Sequence, residues 1–222
     1  WKVLRDALIA MKDQSGLDFG KHVIPYCHEN GRPIYAYEFN GYWKDVGTLS
    51  SYWEANMELI DLVPEFNLYE EYWKIYTKSE ILPPQYISGD SKIERSIVGE
   101  GSEIYGEVYN SIIGCGVVIG KGTVVRDSII MNYSAVGSGC QINKAIIAEN
   151  VVIEDNVITG EGDEAPNEKA AHIYTDGLVT IGEKSVIPSN VKIGKNTVIS
   201  GVTEAGDYPD SYLMSGKALI KA

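Results

Sequence analysis

Ile113-Gly114-Cys115-Gly116-Val117-Val118-Ile119-Gly120-Lys121-Gly122-Thr123-Val124-Val125 carries an aliphatic residue at every sixth position. Gly follows it at 114 and 120, and a second Gly stands three places after it at 116 and 122. The rhythm runs outward both ways. Upstream lie Ile87, Ile93, Val98 and Ile104; downstream lie Met131, Val136, Ile142, Ile147 and Ile153. After a gap it resumes at Ile181, Ile187, Ile193 and Ile199. The position three places on is again Gly or Asn: Gly101, Gly139, Asn150, Asn156, Asn190 and Asn196.

Six residues make one short strand and one corner, and three such units close a triangular coil of about 18 residues. The aliphatic points inward and stacks on the coil below, about 4.7–4.9 Å away. Corners need left-handed or tight backbone, which Gly and Asn tolerate. The pattern predicts a mainly β chain built as a parallel β-helix, with four coils in residues 87–158 and about one more in 181–201. A β-sandwich has no reason to hold a period of six. The interruption, 159–180, is acidic at Glu161, Asp163, Glu164, Glu168 and Asp176, and reads as a loop thrown out of the stack.

The 222 residues are 44% hydrophobic and 23% charged, which excludes a mainly disordered chain. Against 31 acidic residues stand 19 basic ones, a net charge of −12. That argues against nucleic-acid binding and against an anionic membrane surface. Three widely spaced cysteines, Cys27, Cys115 and Cys140, fit reduced thiols in the cytoplasm better than a disulfide framework. No apolar run is long enough to span a membrane.

Before residue 86 the character changes. Trp, Tyr and Phe are dense, and Pro83-Pro84 marks a linker. The expected division is 1–63, a connector at 64–86, and the β-helix at 87–222 with its inserted loop 159–180. The chain opens as though inside an amphipathic helix, with a stripe of Val3, Leu4, Ala7, Leu8 and Met11, so a fragment is expected. Residues 34–39 alternate like a strand. Gly41 to Thr48 is a glycine-bounded turn. Ser51-Tyr52-Trp53-Glu54 fits a capping box for a helix running through Ile60 towards Pro64.

Few residues are candidates for chemistry. His172 lies in the interrupting loop with acidic surroundings, where an acyl-CoA phosphate would be repelled, so it reads as a polar loop residue. His22 and His28 lack partners at metal-ligand spacing. Asp18-Phe19-Gly20 copies a kinase triplet without its companion motifs. Cys115 and Cys140 fall inside the coil pattern and read as coil residues. Asp45, on a turn just ahead of a helix, suits either a Mg²⁺ ligand beside a phosphate or a structural helix-entry role. One carboxylate is a poor magnesium site, so a second ligand has to come from elsewhere.

Three segments carry a resemblance. Asp18-Phe19-Gly20-Lys21 with Val23-Ile24-Pro25, Gly41-Tyr42-Trp43-Lys44-Asp45-Val46-Gly47-Thr48, and Tyr52-Trp53-Glu54-Ala55-Asn56-Met57 resemble bacterial glucose-1-phosphate adenylyltransferase. Tyr76-Thr77-Lys78-Ser79 and Leu82-Pro83-Pro84-Gln85-Tyr86 extend the likeness. The resemblance implies a left-handed parallel β-helix preceded by the C-terminal section of a Rossmann-like α/β nucleotidyltransferase domain. It implies synthesis of ADP-glucose and pyrophosphate from ATP and glucose 1-phosphate, with Mg²⁺, for glycogen synthesis. It implies Asp45 as the metal-site carboxylate and Trp43 beside the sugar. The family's nucleotide loop and sugar-phosphate Lys are missing here, so the chain alone is expected to be inactive. The family assembles as tetramers, which implies a homotetramer or a heterotetramer with a related subunit. Two other readings are a non-catalytic regulatory subunit of the same enzyme and a hexapeptide-repeat acyltransferase using His172.

Overall fold

In a computed structural model, residues 1–68, 70–78 and 81–221 are described. The chain divides into two compact units, Trp1–Gly41 and Tyr42–Ala222. It is mainly β. The second unit is a parallel β-solenoid with three sheets of six, seven and seven short strands. One coil is Val118–Ile119, Val124–Arg126 and Ile129–Ile130; the next is Ala135–Val136, Gln141–Asn143 and Ala145–Ile147. Their inward residues pair in register as Ile119↔Val136, Val125↔Ile142 and Ile130↔Ile147. All six are buried in one continuous aliphatic column.

The registers correct three expectations. In these coils the repeat is 17 residues, not 18, because the corner from second to third strand is one residue short; it is 15 from Ile104 to Ile119 and 18 from Ile181 to Ile199. That tight corner puts Asn110, Asp127 and Lys144 at φ of 44°, 49° and 45°. With one residue removed, the inward position falls on Ile130, and Met131 points away to pack beside Ile129 and Ile146. The step of nine between Ile104 and Ile113 hides a further inward residue, fully buried Val108, in the strand Glu107–Tyr109. The stack is also longer than the sequence period showed. Tyr212–Leu213 pairs with Lys192–Gly194, and Ala218–Ile220 with Val198–Ser200. An irregular stretch carrying the 3₁₀ turn Ala205–Asp207 breaks the period before them.

Small hydroxyl residues close the corners from inside. Ser102 donates to Gly114 O at 2.8 Å and accepts from Val117 N at 3.2 Å. Ser134 does the same with Ala148 O and Val151 N, at 2.8 and 3.1 Å. These side chains are buried, so a hydroxyl that bonds both ways between adjacent coils removes the penalty of burying polar backbone.

The interruption is narrower than 159–180. Strands Ile158–Glu161 and Val179–Ile181 flank it, leaving 162–178 as the extension. Thr159 is an inward coil position and fully buried. Two buried amides hold the extension down. Asn196 accepts from Gly177 N at 2.7 Å and donates to Ala165 O at 3.0 Å. Asn167 donates to Asn196 O at 2.8 Å and accepts from Lys169 N at 2.9 Å.

The first unit holds α1 (Lys2–Ala10), a π-helical turn (Phe19–Val23) and α2 (Ile24–Glu29). Of the α1 stripe, Ala7 is buried. Residues 34–39 form no strand: no neighbouring strand among the described residues pairs with them, and Ile34, Tyr35, Tyr37 and Phe39 are exposed. In the second unit α3 spans Leu49–Glu58, shorter than expected. Its capping box is Thr48 with Ser51, not Ser51 with Glu54: each hydroxyl accepts the other's backbone N–H at 3.1 Å. The residues described between 64 and 85 are in neither helix nor strand, and Ser79 of the connector motif lies outside the described residues. Among the described residues no helix is long and apolar enough to cross a membrane.

Inward and outward positions are expected to differ sharply in energy. Ile119→Ala removes a fully buried side chain and is expected to cost about 2–5 kcal/mol in denaturant unfolding. Val152→Ala, on the outer face and 44% exposed, is expected to cost less than about 1 kcal/mol. Equal losses would contradict the register.

Candidate functional site

Tyr42-Trp43-Lys44-Asp45 leads into α3 outside any helix or strand, and its exposure alternates. Tyr42 and Lys44 are half-buried; Trp43, at 75%, and Asp45 are exposed. Such alternation is the pattern of a locally extended backbone, in which successive side chains leave on opposite sides. The Tyr42 hydroxyl donates to Glu58 Oε2 at 2.7 Å. Lys44 Nζ donates to Glu58 Oε1 at 2.8 Å and Glu54 Oε2 at 3.1 Å. Glu54 and Glu58 stand four apart on α3 and so share a face. The Tyr42 ring stacks on Phe66, centroids 5.2 Å apart and planes 12° from parallel. The charges respond. The hydrogen bonds to Glu58 and then Glu54 raise the Lys44 pKa. Those from Lys44 and then Tyr42 lower that of Glu58. Tyr42 is pushed up, chiefly by its bond to Glu58.

Asp45 folds back on its own turn. Its Oδ1 accepts from Gly47 N at 3.0 Å. A Cβ at 47 would lie 3.1 Å from that oxygen, so glycine lets the carboxylate close on the backbone. Beside this turn lies an open cleft of about 590 Å³, lined by Val46, Gly47, Thr48, Leu49, Tyr52, His172 and Ile173. His172, from the solenoid's extension, thus reaches the wall of the cleft next to the Asp45 turn. Among the described residues no group of three or more His, Cys, Asp or Glu gathers as a metal site. Magnesium binds through one or two carboxylates plus water and phosphate oxygens. Asp45 therefore fits as one ligand of such a site and does not make it alone.

Helix α3 is seated on the solenoid. Leu49, Tyr52, Trp53 and Met57 pack on Ile129, Ile146 and Leu178, outward residues of the third sheet and the end of the extension. Trp53 Nε1 donates to Asp127 O at 2.8 Å, at the tight corner, and Lys144 Nζ lies 5.5 Å from the centre of the Trp53 ring. Ser50 hydrogen-bonds Asp176.

The remaining candidates have structural places. Asp18 caps the π-helical turn, accepting from Lys21 N at 2.7 Å, and His22 Nδ1 accepts from Asp18 N at 3.0 Å. Cys140 is buried and its thiol is pushed up, first by that burial, which makes it a poor nucleophile. Cys115 sits at a coil corner, its backbone N–H bonded to Asn132 Oδ1. Sequence reasoning missed the Tyr42–Lys44–Glu54–Glu58 network. Its signal was present in the four-residue spacing of the two acids on a helix.

A Nucleotidyl transferase family model matches residues 1–61, and a model described as GlmU-like, C-terminal hexapeptide matches residues 85–181. Over 222 residues, all of this chain and 52% of the relative, the chain is 64% identical to a glucose-1-phosphate adenylyltransferase of Lachnospira eligens. Over its whole length the chain is similar to that enzyme. It is also 44% identical over 223 residues to the enzyme of that name from Acetivibrio thermocellus, covering 100% of this chain and 52% of the relative. For the one from Pseudothermotoga lettingae the figures are 45% over 222 residues, 99% and 53%. The chain spans about half the length of these curated adenylyltransferase relatives. Helix α3 lies within the nucleotidyl transferase match and packs on the hexapeptide solenoid.

Two outcomes check this geometry. Thr48→Ala removes the cap and is expected to destabilise α3 by about 0.5–2 kcal/mol, read as faster amide exchange over residues 49–58. The Glu58 contacts are expected to respond to pH. A lowered carboxylate pKa stabilises above its usual value and loses that contribution as pH falls through the folded value. Amide protection over residues 42–48 should therefore be flat near neutrality and fall at a pH below 4.5, the usual Glu value. The raised Lys44 pKa extends the protected range on the alkaline side beyond 10.5.

Proposed function

We propose that the whole protein carrying this chain transfers the adenylyl group of ATP to glucose 1-phosphate, making ADP-glucose and pyrophosphate for glycogen synthesis. The observation that carries this reading is the 64% identity over every residue of the chain to an enzyme named for that reaction. Mg²⁺, when bound, supplies charge neutralisation on the phosphates of the in-line displacement. This chain's part is to present a carboxylate and an aromatic face. Asp45 offers the carboxylate as one metal ligand, held to its turn by Gly47 N–H. Trp43 offers an exposed indole beside it for the apolar face of a sugar ring. The rest of the catalytic domain supplies the nucleotide loop and the cationic side chains.

The solenoid is the assembly end of the molecule in this reading, packing subunits into a homotetramer or a heterotetramer in the cytoplasm. The outer face of the six-stranded sheet supports it: Val118, Ala135, Val152 and Val186 stand in register as an apolar row. A hexapeptide acyltransferase would need His172 as its base. His172 sits instead among apolar groups at the mouth of the Asp45 turn, on an extension rich in Asp and Glu.

Pyrophosphate release from the full-length protein, with glucose 1-phosphate and each nucleoside triphosphate in turn, tests the proposal. ATP-selective turnover is expected, with none from residues 1–222 alone. No turnover with any of the nucleotides would favour the non-catalytic regulatory subunit. Asp45→Asn is expected to lower kcat by about 100-fold or more, with the unfolding temperature unchanged.

A further inference from the structure

We propose that Lys44 is a positioning residue for Asp45: its grip on two carboxylates of α3 sets the rotation of the extended segment, so that the next side chain faces outward. The inference rests on the reading of Asp45 as a metal ligand. Where successive side chains leave on opposite sides, holding those at 42 and 44 to the helix turns those at 43 and 45 away from it. Both pins are present. Tyr42 and Lys44 are tied to Glu58 by bonds of 2.7 and 2.8 Å, and Lys44 reaches Glu54 as well. Between and beyond them, Trp43 and Asp45 are left exposed.

A single exposed ion pair holds geometry weakly. Here one ammonium bridges two acids, a phenol shares one of them, and the Tyr42 ring is stacked on Phe66. The frame to which they are tied is itself fixed. Trp53 on the same helix is bonded to the solenoid corner at Asp127, and Ser50 to Asp176. From the other side Gly47 N–H holds Asp45 Oδ1. The carboxylate is thus oriented by the residue before it and by the residue two places after it. A pre-oriented ligand loses less freedom on binding a cation, and outer contacts of this kind commonly change metal affinity about 10–100-fold.

The test uses the full-length protein, with Mn²⁺ alone as probe and electron paramagnetic resonance reporting bound metal. Amide exchange over residues 42–48 is followed in parallel. Lys44→Met is expected to weaken Mn²⁺ binding by about 10-fold or more and to speed exchange in that segment, with the unfolding temperature unchanged. Lys44→Arg, which keeps the charge, is expected to restore most of the affinity. Arg95→Met breaks the surface pair between Arg95 and Asp61 and is expected to leave Mn²⁺ binding unchanged. If Lys44→Met binds Mn²⁺ like the parent while Asp45→Asn does not, the positioning role is overturned and the reading of Asp45 stands. If Asp45→Asn also binds like the parent, both fall. A Lys44→Met protein whose unfolding temperature drops, without rescue by Arg, would show a merely structural lysine.

Discussion

Everything in the second unit hangs on one constraint: each inward aliphatic must land on the aliphatic of the coil beneath. At strand spacing the column leaves little room for a missing or an extra residue within a strand, so most variation falls in the corners, with a bulge between Thr159 and Glu161 as an exception. The short corner at Asp127 and Lys144 is one consequence. The extension at 162–178 is another. It leaves from a corner and returns to it, and the column closes across the interruption with Ile147 on Ile181 and Ile153 on Ile187. Buried serines then offset the polar cost of the corners by bonding from coil to coil.

The solenoid serves as more than a stack. Its third sheet carries aliphatics on both faces, as the pairs Ile129-Ile130 and Ile146-Ile147 show. The inner members fill the column. The outer members would meet water, and α3 covers them with Leu49, Trp53 and Met57. Burying that apolar surface seats the helix. The seated helix then presents Glu54 and Glu58 to Lys44 and Tyr42. The orientation of the Asp45 turn is therefore traceable to a packing decision made on the outer face of the solenoid. The hexapeptide stack is thus a mounting for the turn.

The fold was legible because a period of six repeats many times, and each repeat confirms the others. Errors arose where one residue changes parity. Met131 stood in for Ile130, since a five-residue step looks the same from either neighbour when both are apolar. Val108 was hidden by the step of nine. The strands at 212–220 were lost because an irregular stretch precedes them and they carry too few repeats to show a period. The strand pattern at 34–39 was visible but needs a partner to exist. For the proposed site, the motif singled out Trp43 and Asp45 as candidates, whereas Lys44 looked like an ordinary charged neighbour.

The sequence by itself determined the stacked coils, the residues of most inward positions, the place of the interruption and the likeness to the adenylyltransferases. Each of these depends on local spacing or on identity along the chain. Only the tertiary structure decided which aliphatics face outward under α3, that Thr48 rather than Ser51 begins that helix, and that Lys44 reaches across to two acids. It also brought His172 beside a turn more than a hundred residues earlier in the chain. Those outcomes depend on contacts between segments distant in sequence, and no local period encodes which distant surface a side chain will meet.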